Sequence, residues 1–348
     1  NTDDSAMSSS LRTVVFRHGD RAPTNTGNEL YPNDPHLNNR FFPMTPGGLT
    51  NQREYALGQF LRARYDEFLG KVYIPDDVMA RSSDVVRTKM SLLLVLAGLY
   101  PPAPMQLWNP ALHWQPIPIT YVSPPNDVLF TPHKCPGYLE ELSRVRSLPE
   151  VVSLVEEFRP LMNYLTSKMA KRIVDSKGMW HLYHSLMGEK AVGLELPEWA
   201  RNIFPDGALL RGAILEYNII SYNDLLKKLN GGTLVKRISE DMVAIVQGKP
   251  VEAQKINLLG GHETNIAALL HTLGVFKPHV PEYSSAVILE LFKDGDEHYV
   301  RFDRLFNSDD HTCCDVFCPL HDFLRLLKKV TPANEDLDCR QNMTVIAG

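Results

Sequence analysis

Arg17, His18 and Arg21 bring two permanent cations and one imidazole together within five residues, in the run Arg17-His18-Gly19-Asp20-Arg21-Ala22-Pro23. A guanidinium is a planar fork of donors that matches the oxygens of a phosphate group. An imidazole is neutral near physiological pH and can act as a nucleophile. Side by side, they suit a site that holds a phosphate and attacks its phosphorus. Two further positions could join them. Arg81 follows the apolar run Val78-Met79-Ala80, and Gly261-His262-Glu263-Thr264 follows Ile256-Asn257-Leu258-Leu259.

These groups need elements that converge on one point. Thr13-Val14-Val15-Phe16 reads as a buried strand that delivers Arg17 and His18 at its end. The order strand, Arg-His, helix recurs as strand, Gly-Gly-His, helix over residues 256–273. Alternating strands and helices predict an α/β fold: a mostly parallel central sheet with helices on both faces. Ligands of such sheets bind beyond the carboxyl ends of the strands, where His18, Arg81 and His262 all fall. Thr50 is a good N-cap for a helix over 51–69, Ser82 or Ser83 for one that Pro101 and Pro102 stop, and Thr264 for Asn265–Leu273. Asp294-Gly295 between two apolar runs predicts a hairpin. Residues 123–239 read as loops and helices, a helical cap inserted into a core made of 1–122 and 240–348.

Arg17, Arg21 and Arg81 could each give charge-assisted bonds to phosphate oxygens, and His262 another if protonated. Helix N-termini after residues 82 and 264 favour the same anion. His18 is the expected nucleophile, its other nitrogen fixed by a carbonyl. Glu263 is the nearest acid for the leaving oxygen and the base for the water that follows. The arginines supply the positive charge, so the chemistry calls for no metal and no cofactor.

The rest of the chain narrows the class. Its 348 residues allow two domains, or one with a large insertion. A net charge of -5 argues against a nucleic-acid binder. The longest apolar stretch, Leu92 to Tyr100, is too short to span a membrane. A start at Asn1, with neither initiator Met nor signal peptide, fits a processed mature chain or a trimmed one. Five cysteines, at 135, 313, 314, 318 and 339, read better as a disulfide set with one thiol over than as zinc ligands, because Cys314 and Cys318 lack a second ligand pair at finger spacing. That places the protein outside the cytosol, secreted or lumenal. Asn342-Met343-Thr344 is a glycosylation sequon. Asp20 and Asp84 read as structural charges, and His181 and His184 as rim or surface histidines.

The wider pattern resembles the histidine acid phosphatases, in branch 2 of the histidine phosphatase superfamily, the group with prostatic, lysosomal and insect venom members. Arg81-Ser82-Ser83-Asp84-Val85-Val86-Arg87-Thr88 resembles the segment that supplies the third arginine, and Gly261-His262-Glu263-Thr264 the one that supplies the second histidine. Leu49-Thr50, Gly58-Gln59-Phe60-Leu61-Arg62, Trp114-Gln115-Pro116-Ile117-Pro118 and Pro281-Glu282-Tyr283-Ser284-Ser285 extend the likeness from about residue 11 to 340, with the last of these closest to venom-type members. The resemblance implies a phosphoglycerate mutase-like core. It also implies an acid phosphatase that hydrolyses phosphate monoesters, in which His18 is phosphorylated and Arg17, Arg21, Arg81 and His262 bind the phosphate. It places an aromatic rim near Trp180, pairs Cys135 with Cys339 and Cys314 with Cys318, and suggests a secreted or lysosomal homodimer. One departure stands out: the usual His-Asp pair is His262-Glu263 here. A carboxyl one methylene farther out keeps open a weak or inactive phosphate-binding protein. A phytase-like enzyme and a phosphate-transferring mutase are narrower rivals; the mixed charge of the cap disfavours the phytase.

Overall fold

The computed structural model describes residues 8–21, 49–124, 126–169, 171–305 and 316–337. Its strands are β1 (Ser8–Arg17), β2 (Val78–Ser83), β3 (Thr120–Val122), β4 (Ile256–Gly261), β5 (Ala286–Asp294), β6 (Glu297–Leu305) and β7 (Cys318–Pro319). They form one sheet in the order β3-β2-β4-β1-β5-β6-β7. The four strands from β3 to β1 run parallel to one another, and β5, β6 and β7 extend the sheet antiparallel. The β5–β6 hairpin turns where expected, with Gly295 at φ 57, a conformation that costs glycine little.

The helices are α1 (Leu49–Arg64), α2 (Asp66–Leu69), α3 (Val86–Leu99), α4 (Pro136–Arg146), α5 (Pro149–Glu156), α6 (Arg159–Lys168), α7 (Ser176–Ala191), α8 (Ala208–Ile220), α9 (Asp224–Leu229), α10 (Gly231–Val246), α11 (Glu263–Thr272) and α12 (Leu320–Leu327). Side chains alternate across a strand, so the apolar strands feed two cores. Val14, Phe16, Leu258 and Ile288 pack with Leu57 and Leu61 of α1 and with Leu92 and Leu96 of α3. Val15, Leu259, Val287 and Leu289 pack with Leu234 and Ile238 of α10, with Ile266 and Leu269 of α11, and with Leu327 of α12. The sheet is thus covered on both faces, as continuous apolar strands require.

Helices α4 to α9 form a layer with apolar clusters of their own, one around Met179, Leu182, Leu209 and Tyr217 and one around Tyr138, Val145 and Leu226. Ala267 of α11 belongs to the first of these, which joins the layer to the helix that starts at Glu263. Helix α10 runs through residues 239 and 240, where composition put the boundary, and its buried face belongs to the sheet core from Leu234 onward. Among the described residues, no helix is long and apolar enough to cross a membrane.

Candidate active site

Parallel register sets the site. Arg17 pairs with Gly261, and Ser82 with Gly260, so the carboxyl ends of β1, β4 and β2 finish side by side. The His18 amide then donates to the Gly261 carbonyl at 3.0 Å, beyond the last strand pair. The imidazoles of His18 and His262 meet edge to face, 5.4 Å apart. Gly261 is needed here: a Cβ would lie 2.9 Å from Asn265 Oδ1 and 3.0 Å from the Phe130 ring. Asn265 Oδ1 accepts from the His262 amide at 2.9 Å, while Nδ2 donates to the Phe130 carbonyl. His262, not Thr264, is therefore the N-cap of α11, in a reciprocal capping box with Asn265.

His18 is buried, 1% exposed. Its Nδ1 lies 2.7 Å from the Gly19 carbonyl, which can only accept, so Nδ1 carries the hydrogen and Nε2 keeps its lone pair. Arg87 Nε donates to that lone pair at 3.0 Å. Burial, then the charges of Arg87 and Arg17, push the imidazole well below its ordinary range. The ring stays neutral in acid, as a nucleophile must.

Arg17 is completely buried. Nη1 donates to the Pro281 carbonyl at 2.5 Å, and the guanidinium lies 3.9 Å over the Tyr283 ring. Nη2 has no hydrogen-bond partner among the described residues. A buried donor left unpaired is costly, and a phosphate oxygen would satisfy it. Arg21 follows in the loop, close enough that its charge lowers Arg87 and His184.

The third guanidinium at the two imidazoles is Arg87, not Arg81. Arg87 Nη2 lies 3.3 Å from His262 Nδ1 while its Nε holds His18, so one fork spans both rings. Burial and Arg21 lower Arg87 to about 10, still a cation at working pH. Arg81 instead donates to the buried Asp127 at 2.7 Å and faces Phe130. The reason lies in the strand. β2 continues to Ser83, so Arg81 is inside it, on the same face as Met79, in the core with Phe130. Helix α3 starts at Val86 and carries Arg87 in its first turn, over the strand ends. Ser83 Oγ lies 3.0 Å from His262 Nε2 and 2.7 Å from Thr88 Oγ1, so it braces His262 instead of capping the helix.

Glu263 opens α11 with Oε2 3.5 Å from Arg17 Nε. Burial alone would raise its carboxyl, but the fixed charge of Arg17, among neighbouring imidazoles, outweighs that and holds it well below the usual carboxylate range. Oε1 lies 4.0 Å from Nε2 of His184, which is buried and not on the surface or rim. Trp180 packs against His184 at 4.9 Å. His18, His262 and Glu263 offer ligand atoms within 4.8 Å of one another, close enough to grip a small ion. Arg17 and Arg87 touch the same groups, however, and their fixed charges oppose a cation and favour an anion.

Comparison with known proteins agrees with this geometry. The family model described as the histidine phosphatase superfamily (branch 2) matches residues 12–192 and 210–303. The chain belongs to the histidine phosphatase superfamily, branch 2. It is 43% identical over 335 residues to the venom acid phosphatase of Apis mellifera, covering 94% of this chain and 86% of that one. It is 33% identical over 344 residues to the prostatic acid phosphatase of Rattus norvegicus, covering 94% and 88%. The fold is that of the Hafnia alvei phytase solved with myo-inositol hexakis sulphate, at a TM-score of 0.69 and 18% identity over 95% of this chain and 98% of that one. The phosphatase class and the core read from the sequence agree with these relatives.

In this branch-2 histidine phosphatase, the turn 281–285 braces Arg17. Besides the contacts of Pro281 and Tyr283, the Ser285 carbonyl accepts from the Arg17 amide at 2.9 Å. Ser284, at φ 61, donates from Oγ to Oε1 of the buried Glu54 at 2.9 Å. Burial, with Asp20 nearby, pushes Glu54 up from 4.5 to about 8. Between those values the folded protein holds a proton that the unfolded chain releases, so this contribution to stability is fullest below 4.5 and is lost as pH rises toward 8. Glu54→Gln should flatten the decline of Tm between about pH 5 and pH 8 by several degrees. Parallel Tm curves for variant and parent would remove Glu54 from this role.

Asp20 lies 3.4 Å from Arg53 and Asp84 pairs with Lys89, in keeping with structural roles. Cys313, Cys314, Cys339 and the sequon at Asn342 lie outside the described residues.

Proposed function

We propose that this protein is an acid phosphatase that hydrolyses phosphate monoesters through a covalent phosphohistidine on His18, with Glu263 as proton donor. The observation that carries the proposal is the neutral His18, with its Nε2 lone pair turned toward the guanidinium of Arg87. Arg17, Arg21, Arg87 and His262 hold the phosphate, and their bonds tighten as charge spreads over its oxygens. His18 Nε2 displaces the contact with Arg87 and attacks phosphorus in line. The N–P bond forms, the bond to the leaving oxygen breaks, and Glu263 protonates that oxygen. Water then attacks phosphorus, Glu263 takes its proton, and the N–P bond breaks to give phosphate and the free imidazole.

Before phosphate binds, Glu263 is ionised because the fixed charges of Arg17 and Arg87 act on it. A bound phosphate brings one to two negative charges to those same cations, which raises the carboxyl and lets it carry a proton. Acid pH therefore favours the donor while His18 stays neutral, so turnover should fall as pH rises through the donor's value in the complex.

The relatives' names, the disulfide-bonded state of Cys135 and Cys318, and the sequon support a secreted or lysosomal glycoprotein with Cys135–Cys339 and Cys314–Cys318 bridges. The two separate clusters of α4–α9 support a helical cap on an α/β core. Trp180 is proposed as a substrate contact on that cap, and a homodimer as the assembly.

The test is Glu263→Gln on two esters. Loss of about 100-fold or more on an alkyl phosphate, with a much smaller loss on p-nitrophenyl phosphate, supports the donor role, because a good leaving group needs little protonation. Equal losses on both would remove Glu263 from it. A folded parent that binds vanadate but turns over neither ester would favour the non-catalytic reading, with Glu263→Asp the variant to restore activity.

A further inference from the structure

Among the described residues, one buried titratable pair lies against the site without touching the phosphate ligands' working atoms. His184 of α7 is 2% exposed. Its Nε2 lies 2.9 Å from the Tyr217 hydroxyl of α8 and 4.0 Å from Glu263 Oε1. The other carboxyl oxygen is the one near Arg17 Nε, at 3.5 Å. The carboxyl is thus bracketed, with an arginine of the sheet on one side and a histidine–tyrosine pair of the helical layer on the other. Trp180 at 4.9 Å and Tyr183 at 5.8 Å pack edge-on against the imidazole.

Glutamate has one more torsion to fix than aspartate. Arg17 alone would leave the second oxygen free to swing, and a misplacement of about 1 Å at a reacting group costs on the order of 100-fold. We propose that His184, held by Tyr217, is a positioning residue for Glu263, walling in the carboxyl from the helical layer so that it keeps one orientation toward the leaving oxygen. The inference rests on the reading of Glu263 as proton donor, and supplies what the longer side chain demands.

The groups facing His184 are Glu263 of α11, Arg17 of β1, Arg21 of the following loop, His181 of its own helix and Tyr217 of α8. Burial lowers the imidazole to about 3, against the pull of Glu263, and raises the Tyr217 phenol well above its ordinary range. Both groups are uncharged at working pH. Replacing either changes the carboxyl's orientation and leaves the net charge of the phosphate pocket alone.

The experiment compares His184→Phe, His184→Gln and Tyr217→Phe, each alone and on Glu263→Gln. The readouts are kcat on alkyl and p-nitrophenyl phosphate, its pH profile, and inhibition by vanadate. The expected result for His184→Phe is a loss of about 10- to 100-fold in kcat on the alkyl ester, a much smaller loss on the aryl ester, and a displaced alkaline limb. Vanadate affinity should stay within about threefold, reporting an intact pocket. His184→Gln should recover part of the loss, and on Glu263→Gln no His184 substitution should cost more, because coupled residues are not additive. Equal losses on both esters, or full additivity with Glu263→Gln, would overturn the inference. If His184→Phe does not fold, His184→Gln and Tyr217→Phe, which delete far less, decide it: no ester-selective loss in either counts against it. Selective loss in Glu263→Gln but in no His184 or Tyr217 variant overturns this inference alone. Equal losses in Glu263→Gln overturn the donor reading and the inference with it.

Discussion

His18→Ala is expected to lose at least about 10⁴-fold in turnover on every phosphate monoester, since a nucleophile and the groups around it act as one unit. Phosphate and vanadate should still bind, because Arg17 and the Arg87–His262 contact do not depend on the imidazole. The fold should also hold. The hydrogen bond that locks the strand end is made by the His18 amide to Gly261, and the substitution keeps it. Rapid quench with a labelled ester separates this account from a direct attack by water. The parent should carry acid-labile, base-stable phosphate on protein, and the variant none. Turnover by His18→Ala comparable to the parent would sink the phosphohistidine mechanism.

Much of this site was legible because strands that end in reactive residues announce themselves. Thr13–Phe16 and Ile256–Leu259 are apolar runs followed directly by histidine, and parallel pairing had only to set them in register. The carbonyl that fixes the His18 tautomer was also expected, since an imidazole with one working nitrogen needs a partner for the other. What stayed hidden depends on phase and on distance along the chain. Ending β2 at Ala80 instead of Ser83 puts Arg81 at the strand's tip and takes Arg87 out of view, although it lies in the same segment. His184 is nearly eighty residues from Glu263 in sequence, and a histidine on a helix gives no sign of which face is buried. Its neighbours Trp180 and Tyr183, four positions away and adjacent, hint at a packed face but not at what it packs against.

The exchange of Arg81 for Arg87 leads to a paired prediction with opposite signatures. Arg87→Ala should lower kcat by about 10²- to 10³-fold, the loss expected for one preorganised donor to a developing charge. Arg87→Lys should fall between, since an ammonium keeps the charge but cannot span two rings as a planar fork does. The pH profile should change as well. Arg87 is the strongest of the charges that keep His18 below its ordinary range. Without it the imidazole moves upward, takes a proton as pH falls, and loses its lone pair, so the acid limb should shift to higher pH. Arg81→Ala should leave kcat within a few-fold of the parent. It takes the ion-pair partner from the fully buried Asp127 carboxylate and leaves it only the Leu129 and Phe130 amides, and breaking a buried pair from one side costs up to about 3–5 kcal/mol, read as a lower Tm. If Arg81→Ala instead lost turnover at unchanged Tm while Arg87→Ala kept it, the phosphate would have to sit on the β2 side of His262, against Asp127, and the site drawn around the two imidazoles would be misplaced.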